Sequence, residues 1–534
     1  MLFVMVLAAQ ADEVPAVTSD GSNGQDDNNS PIRALAVMDK IPLLNEPVQI
    51  SCTLTSFVDA PETTAQIDLP ATAKVVSGDV SWQGNLTVGE PVTFAVTAEF
   101  EAEGNTSVSC RVHKQLDVEN SIGDLATIYV AIGRELSKEG FAPVPVNAQI
   151  ERGVQLEAGD GVRVREEAGQ WQWNYEGRVV PPPPSIEPSL TATKAAPNNE
   201  EIVQGNLTVT GSWSYYGRDD SIVPAMEQLV EIVRGDNGNH LAWCYTVLNG
   251  SYSCGPFTNP GAAGVRSLIH SYTNYNPNPD LLIVKNPDFA GTAAGNSFRV
   301  QTSIVVLSDG TQGIGSWVVN NGNTFERAYW AHRDLQDTWR YIFFNGDVSG
   351  STPGPSTVLW KIDSTDGAYY IPGGEVHLKG EDPISDTVVI HEYSHNIMYT
   401  VYGGTIPPAP NCNPHYVNGQ SSTGCAWVEG WAEFIPAVVN NDPTYRWASG
   451  ASLNLENPTW TTAGWDDGDD VEGRVAGAMW DIYDSNTEGD DQYTEPAGFA
   501  PFWDVFYNQN YTPWMDLQLI LKTIPVMVFG KGGG

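Results

Sequence analysis

The sequence predicts a multidomain chain: two N-terminal all-β sandwich domains followed by one α+β domain. Three observations predict it. The chain is 534 residues long, more than one hydrophobic core serves, and its size suggests about three domains. Up to residue 320 the apolar residues recur mostly with period two, in short runs broken by turn residues, as strands require. Beyond residue 321 the apolar spacing changes to three and four, as helices require.

Residues 35–179 carry the first β pattern. Val48–Leu54, Val92–Ala98 and Ala126–Ile132 alternate apolar and polar positions, which suits half-buried strands of a sandwich. The proline run Pro181–Pro184 then marks a stiff linker over 180–199. Residues 200–320 carry the second β pattern, in Leu207–Trp213, Gln228–Val233 and Phe298–Val306. The stretch from Tyr216-Gly-Arg-Asp-Asp through Pro224 to Val230–Val233 resembles the transthyretin-like modules found beside secreted peptidases.

The third region, 321–534, opens with Asn323-Thr-Phe-Glu326, a capping box. Ala328, His332, Leu335, Trp339 and Ile342 then define one face of a helix of about six turns. Strands are expected at Val358–Asp363 and Tyr369–Leu378. Helices should follow at Ser385 or Asp386, near Ala426 and near Val471. The Glu375-Val-His-Leu378 stretch is a candidate sheet edge for pairing with an extended peptide.

Leu2–Ala9 is a short apolar run, and Ala9-Gln10-Ala11 offers a small-x-small cleavage site. Residues 1–11 therefore read as a signal peptide without its basic start, and the polar stretch 12–34 as a disordered linker. The six cysteines fall into sequential pairs, Cys52 with Cys110, Cys244 with Cys254 and Cys412 with Cys425, a pattern expected of disulfides in an oxidising, extracellular compartment. A formal charge of −39 excludes nucleic acid and anionic membrane as partners, because phosphate would be repelled at every approach. No transmembrane segment is expected, since the best apolar stretch, Leu517–Phe529, is interrupted by Lys522 and Pro525.

The chemistry centres on His391-Glu-Tyr-Ser-His395, an HExxH motif. On a helix the two histidines stand one turn apart on the same face and can share one cation, while Glu392 remains close enough to serve as general base. Zinc needs a third protein ligand and an open position. The places where a histidine would follow a glycine hold Met398 and Val401, so the ligand must come from further on. Glu429, in Trp427-Val-Glu-Gly-Trp-Ala-Glu433-Phe, is the leading candidate. Its helix neighbour Glu433 could orient a histidine ligand from behind. His415, in the intervening stretch, is a rival third ligand.

HEYSH followed by EGWAEF resembles the gluzincin clan, the thermolysin-like zinc metallopeptidases, over about residues 321–485. The resemblance implies a zincin-like fold, with His391, His395 and Glu429 as zinc ligands, Glu392 as general base and Glu433 behind the ligands. The stretch between the motifs is longer than in that clan and holds Pro407, Pro408, Pro410 and the Cys412/Cys425 pair. A second donor for the oxyanion is also required, and Tyr399, Tyr402, Arg474 and Tyr483 are candidates, Arg474 first.

Asp484, Asn486, Glu488 and Glu495 follow the spacing of a calcium loop, with Gly489 at the turn. Asp466, Asp467, Asp469 and Asp470 form a second acidic cluster. The reading is a secreted zinc peptidase acting on protein or peptide, as endopeptidase or aminopeptidase, with β domains that bind a cell surface or matrix. The alternatives are an adhesin carrying an inert zincin-like domain, and a zinc hydrolase acting on another bond.

Overall fold

The computed structural model describes residues 17–18, 30–141, 184–189, 206–276, 280–288, 297–319, 326–346, 351–456, 462, 464–484 and 498–508, together with the strands at 149–150, 154–157, 163–167 and 170–174. The signal peptide, most of both linkers, the start of the capping box, Asn486, Glu488, Glu495 and the stretch 517–529 lie outside the described residues. The chain is mostly β-sheet, in several sheets, with few helices. It divides into two compact units, one holding residues 32–114 and 125–142, the other 115–124 and 143–534.

The first unit is two five-stranded antiparallel sheets. One orders its strands 17–18, 32–38, 47–56, 92–100 and 73–78. The other orders 138–139, 121–132, 104–115, 60–68 and 81–86. Pro47–Ser56 shows why they pack face to face: Val48, Ile50, Cys52 and Leu54 are buried while the residues between them are not, the period-two pattern of a strand with one dry side. Cys52 and Cys110 join the two sheets by a disulfide.

In the second unit, a six-stranded sheet holds Leu229–Arg234 next to its edge strand His240–Tyr245, and a smaller sheet is built on Asn206–Tyr216. Cys244–Cys254 joins a strand of one to a strand of the other. Leu207, Val209, Trp213, Val230, Ile232 and Ile269 fill the core between them, and Tyr329 enters that core from helix α1 (Glu326–Asn345). Both sides of the expected boundary at 320/321 thus lie within this unit.

A third sheet has the order 272–275, 280–285, 356–359, 376–377, 369–370. Its three central strands are parallel, and both outer strands run antiparallel to their neighbours. Two findings depart from the sequence reading. The first two strands come from the β-rich region ahead of residue 320, so this sheet is shared between the two regions. Val376–His377 is also internal rather than an edge; the edge is Tyr369–Tyr370, its hairpin partner across the Pro372-Gly373-Gly374 turn. Gly373 has a φ of 76°, a conformation that favours glycine. Beyond this sheet come helices α2 (Asp386–Val401), α3 (Thr423–Asn440), α4 (Glu472–Tyr483) and α5 (Ala500–Asn508). The sequence reading did not foresee α5. No described helix is long and apolar enough to cross a membrane.

Candidate metal centre

Helix α2 begins at Ser385, whose hydroxyl accepts the Val388 N–H at 3.2 Å, satisfying one orphan donor of the first turn. The helix is buried on every side from Thr387 to Met398. An apolar shell of Val389, Ile390, Tyr393 and Ile397 explains why polar residues within it face one another rather than water. Helix α3 is capped in the same way by Ser422, which accepts from Cys425. Its Trp427, Trp431 and Phe434 bury it against its neighbours.

The two helices bring three donors together. The Nε2 atoms of His391 and His395 are 3.1 Å apart, and Oε2 of Glu429 is 3.3 Å from the first and 3.2 Å from the second. A tetrahedral zinc with bonds of about 2.0–2.1 Å separates its ligands by roughly 3.3 Å, so this triangle has the size of one face of such a site. All three residues are buried. Three lone-pair atoms converging in a dry place repel one another. One proton can bridge only one pair of them, whereas a cation satisfies all three. The residues therefore fit zinc.

Electrostatics favour the ligand forms. Burial, reinforced by the charges of His395 and His415, lowers the His391 pKa to about 4, keeping its imidazole neutral as coordination requires. Burial alone would raise Glu429, but the charges of His395 and His415 and its contacts with both helix histidines hold it well below the usual carboxylate range.

Glu392 is buried beside the histidines, 1% exposed. Glu433 is fully buried and neither of its carboxylate oxygens makes a hydrogen bond. Burial and the charges of Glu472 and Glu429 push its carboxyl well above the usual range. His415 is outside the triangle, with its Nδ1 2.9 Å from Glu472 Oε2.

The other expected residues have separate engagements. Arg474 reaches Asp467 at 2.9 Å, donates to the Asp466 carbonyl and lies over Trp465. Its charge is thus met within the acidic cluster, and it is not among the three converging residues. The Tyr483 hydroxyl accepts from Tyr341 at 3.0 Å. Tyr399 packs against Tyr370, and Tyr402 against Phe506. In the acidic cluster, Asp466 and Asp470 accept hydrogen bonds from Gln420. Asp484 is the residue that ends α4.

Sequence reasoning missed Tyr445, on the short strand Thr444–Arg446 after α3. It is buried, with its ring centroid 5.9 Å from that of His391 in an edge-to-face arrangement. Burial and the carboxylates of Glu433, Glu392, Glu472 and Glu429 keep its hydroxyl protonated. The strand is held at α2 because the Thr387 hydroxyl accepts the Arg446 N–H, and Ser385 donates to the Arg446 carbonyl. No local signal marks this tyrosine.

A family model described as the mycolysin C-terminal domain matches residues 348–509, a span that runs from before α2 through α5. The chain is related to metallopeptidases. That span is less than a third of the chain, and the β-rich residues ahead of it fall outside the match. No curated protein sequence matches. Among solved structures, a 9R-lipoxygenase from Cyanothece PCC8801 is similar at 12% identity, over 41% of this chain and 30% of its own length, with a TM-score of 0.16. At that score the likeness carries nothing for this fold, and the chain spans under a third of that protein.

Proposed function

We propose that the protein is a secreted, zinc-dependent peptidase of gluzincin type, with a zincin-like catalytic domain over 321–534 that also draws sheet strands from 272–285, and β-sandwich domains ahead of it. The single observation that carries this is the triangle of His391, His395 and Glu429, with sides of 3.1, 3.3 and 3.2 Å. His391, His395 and Glu429 would hold the metal. Zinc, when bound, supplies a Lewis acid that polarises the scissile carbonyl. Glu392 accepts the proton of the attacking water and delivers it to the departing amine.

Three disulfides support an extracellular setting, and the relation to metallopeptidases supports a protein or peptide substrate. Calcium at Asp484, Asn486, Glu488 and Glu495 remains part of the reading on sequence spacing alone. The test is zinc content and casein hydrolysis for the wild type and Glu392→Gln. Zinc retained with hydrolysis lost in the variant is the expected result. A zinc-free, inactive wild type would leave an adhesin with an inert domain as the better reading.

A further inference from the structure

The stretch between α2 and α3 is tied down around one buried pair. Cys412–Cys425 closes a loop of 13 residues onto the first turn of α3. Cys425 precedes Glu429 by one helical turn. Cys412 Sγ lies 3.8 Å from Oε1 of Glu429, the carboxylate oxygen other than the one facing the histidines. Inside this loop, His415 is 6% exposed and meets Glu472, the first residue of α4, which is fully buried. A carboxylate without water needs such a partner.

Two glycines make the approach close. A Cβ on Gly473 would stand 2.6 Å from the Val417 carbonyl, the same carbonyl that accepts the Gly473 N–H at 2.9 Å. Gly430, next to Glu429, lies against the backbone of Glu472 itself. His415, Cys425 and Glu472 present their polar atoms within 4.8 Å of one another. With Cys425 in a disulfide, that group is no metal site of its own. It surrounds the Cys412–Cys425 disulfide, whose Cys412 Sγ is the atom beside Oε1 of Glu429.

Resting on the zinc reading, we propose that His415, held by Glu472 and by the disulfide loop, is a positioning residue that fixes the Glu429 carboxylate for the metal. A glutamate has three side-chain torsions, and a ligand oxygen free to rotate binds weakly. Partners lying outside the ligands restrict that freedom, and their loss costs about 10–100-fold in metal affinity.

The experiment is a zinc titration of the full chain against a chromophoric chelator, for wild type, His415→Ala, His415→Gln and Glu472→Gln. Each is paired with the unfolding midpoint of its metal-free form. His415→Ala should weaken zinc binding by about 10–100-fold, more than the drop in its metal-free midpoint accounts for. His415→Gln, which keeps a donor for Glu472, should recover part of the loss, and Glu472→Gln should fall between. Zinc affinity within twofold of wild type in His415→Ala overturns the proposal, as does a loss matched by an equal drop in the metal-free midpoint in all three variants. A wild type that binds no zinc overturns this proposal and the peptidase reading together, and the wild-type titration alone tells that outcome from a failure confined to His415.

Discussion

Arg218 clasps Asp334 with two hydrogen bonds, Nη1 to Oδ1 at 3.1 Å and Nη2 to Oδ2 at 2.5 Å, while its Nε donates to the carbonyl of Pro383. One guanidinium thus joins the β-rich region, helix α1 and the turn Asp382–Ile384 that leads into α2. Asp334 is nearly buried, 6% exposed at its side chain. Removing only the cation leaves that carboxylate without its partner, so Arg218→Met should destabilise the second unit by about 3–5 kcal/mol. Arg218→Met with Asp334→Leu should cost less than the single change. Denaturant unfolding of both variants checks this, and equal losses would count against the pair.

Gly430 settles a competition between local and tertiary preference. In an isolated helix, alanine would be favoured over glycine by about 1 kcal/mol. Here a Cβ would meet the Glu472 carbonyl oxygen at 2.7 Å and Val475 Cβ at 2.9 Å. Backbone cannot move aside as a flexible side chain can, so crowding of about 1–3 kcal/mol wins. Gly430→Ala should lower the unfolding midpoint, and zinc affinity with it, because α4 carries Glu472. A stabilised variant would mean the two helices can separate at no cost.

How much of this was legible in the sequence follows from the range of each interaction. Helices α1 to α4 show in apolar spacing, and Ser385 caps α2 in the way its position suggests, because helix periodicity and capping are local. The HExxH pair and Glu429 were candidates for the same reason: two residues one turn apart are fixed by helix geometry alone. The pairing of Asp280–Lys285 with Ser356–Leu359 joins residues more than seventy positions apart, and no local pattern encodes such a register. Arg218, Tyr445 and Glu472 matter through distant partners, so each looked ordinary in the sequence. Helix α5 is nine residues long, too short for periodicity to stand out.

Two buried groups on α1 give opposite pH dependences. Burial lowers His332 to about 3. Its unfolded form gains a proton as pH falls below the usual value of 6.5, and the folded form does so only near 3. Stability on this account is complete above pH 6.5 and is lost as pH falls towards 3, at up to about 1.4 kcal/mol per unit. Burial raises Glu326 to about 7, so its contribution is present below pH 4.5 and is lost as pH rises to 7. Between pH 4.5 and 6.5 the two slopes oppose each other. Below 4.5 only the histidine acts. His332→Leu should therefore flatten the acid limb of stability against pH, and Glu326→Gln the limb between 4.5 and 7. Urea unfolding at several pH values distinguishes them, and an unchanged acid limb in His332→Leu would rule out this source.

Metal removal should act on one unit only. A ligand that binds the folded state stabilises it by about 4 kcal/mol at a thousandfold excess over its dissociation constant. The three converging donors all lie in the second unit, whereas the first unit is held by its own apolar core and by Cys52–Cys110. Calorimetry with and without a chelator should show a transition that moves to lower temperature and another that stays in place. Reduction should lower the first unit as well, since opening a cross-link that spans 58 residues costs about 4 kcal/mol by chain entropy, while the second unit loses Cys244–Cys254 and Cys412–Cys425. A chelator that moved every transition equally would show that metal binding is not confined to the cluster of His391, His395 and Glu429.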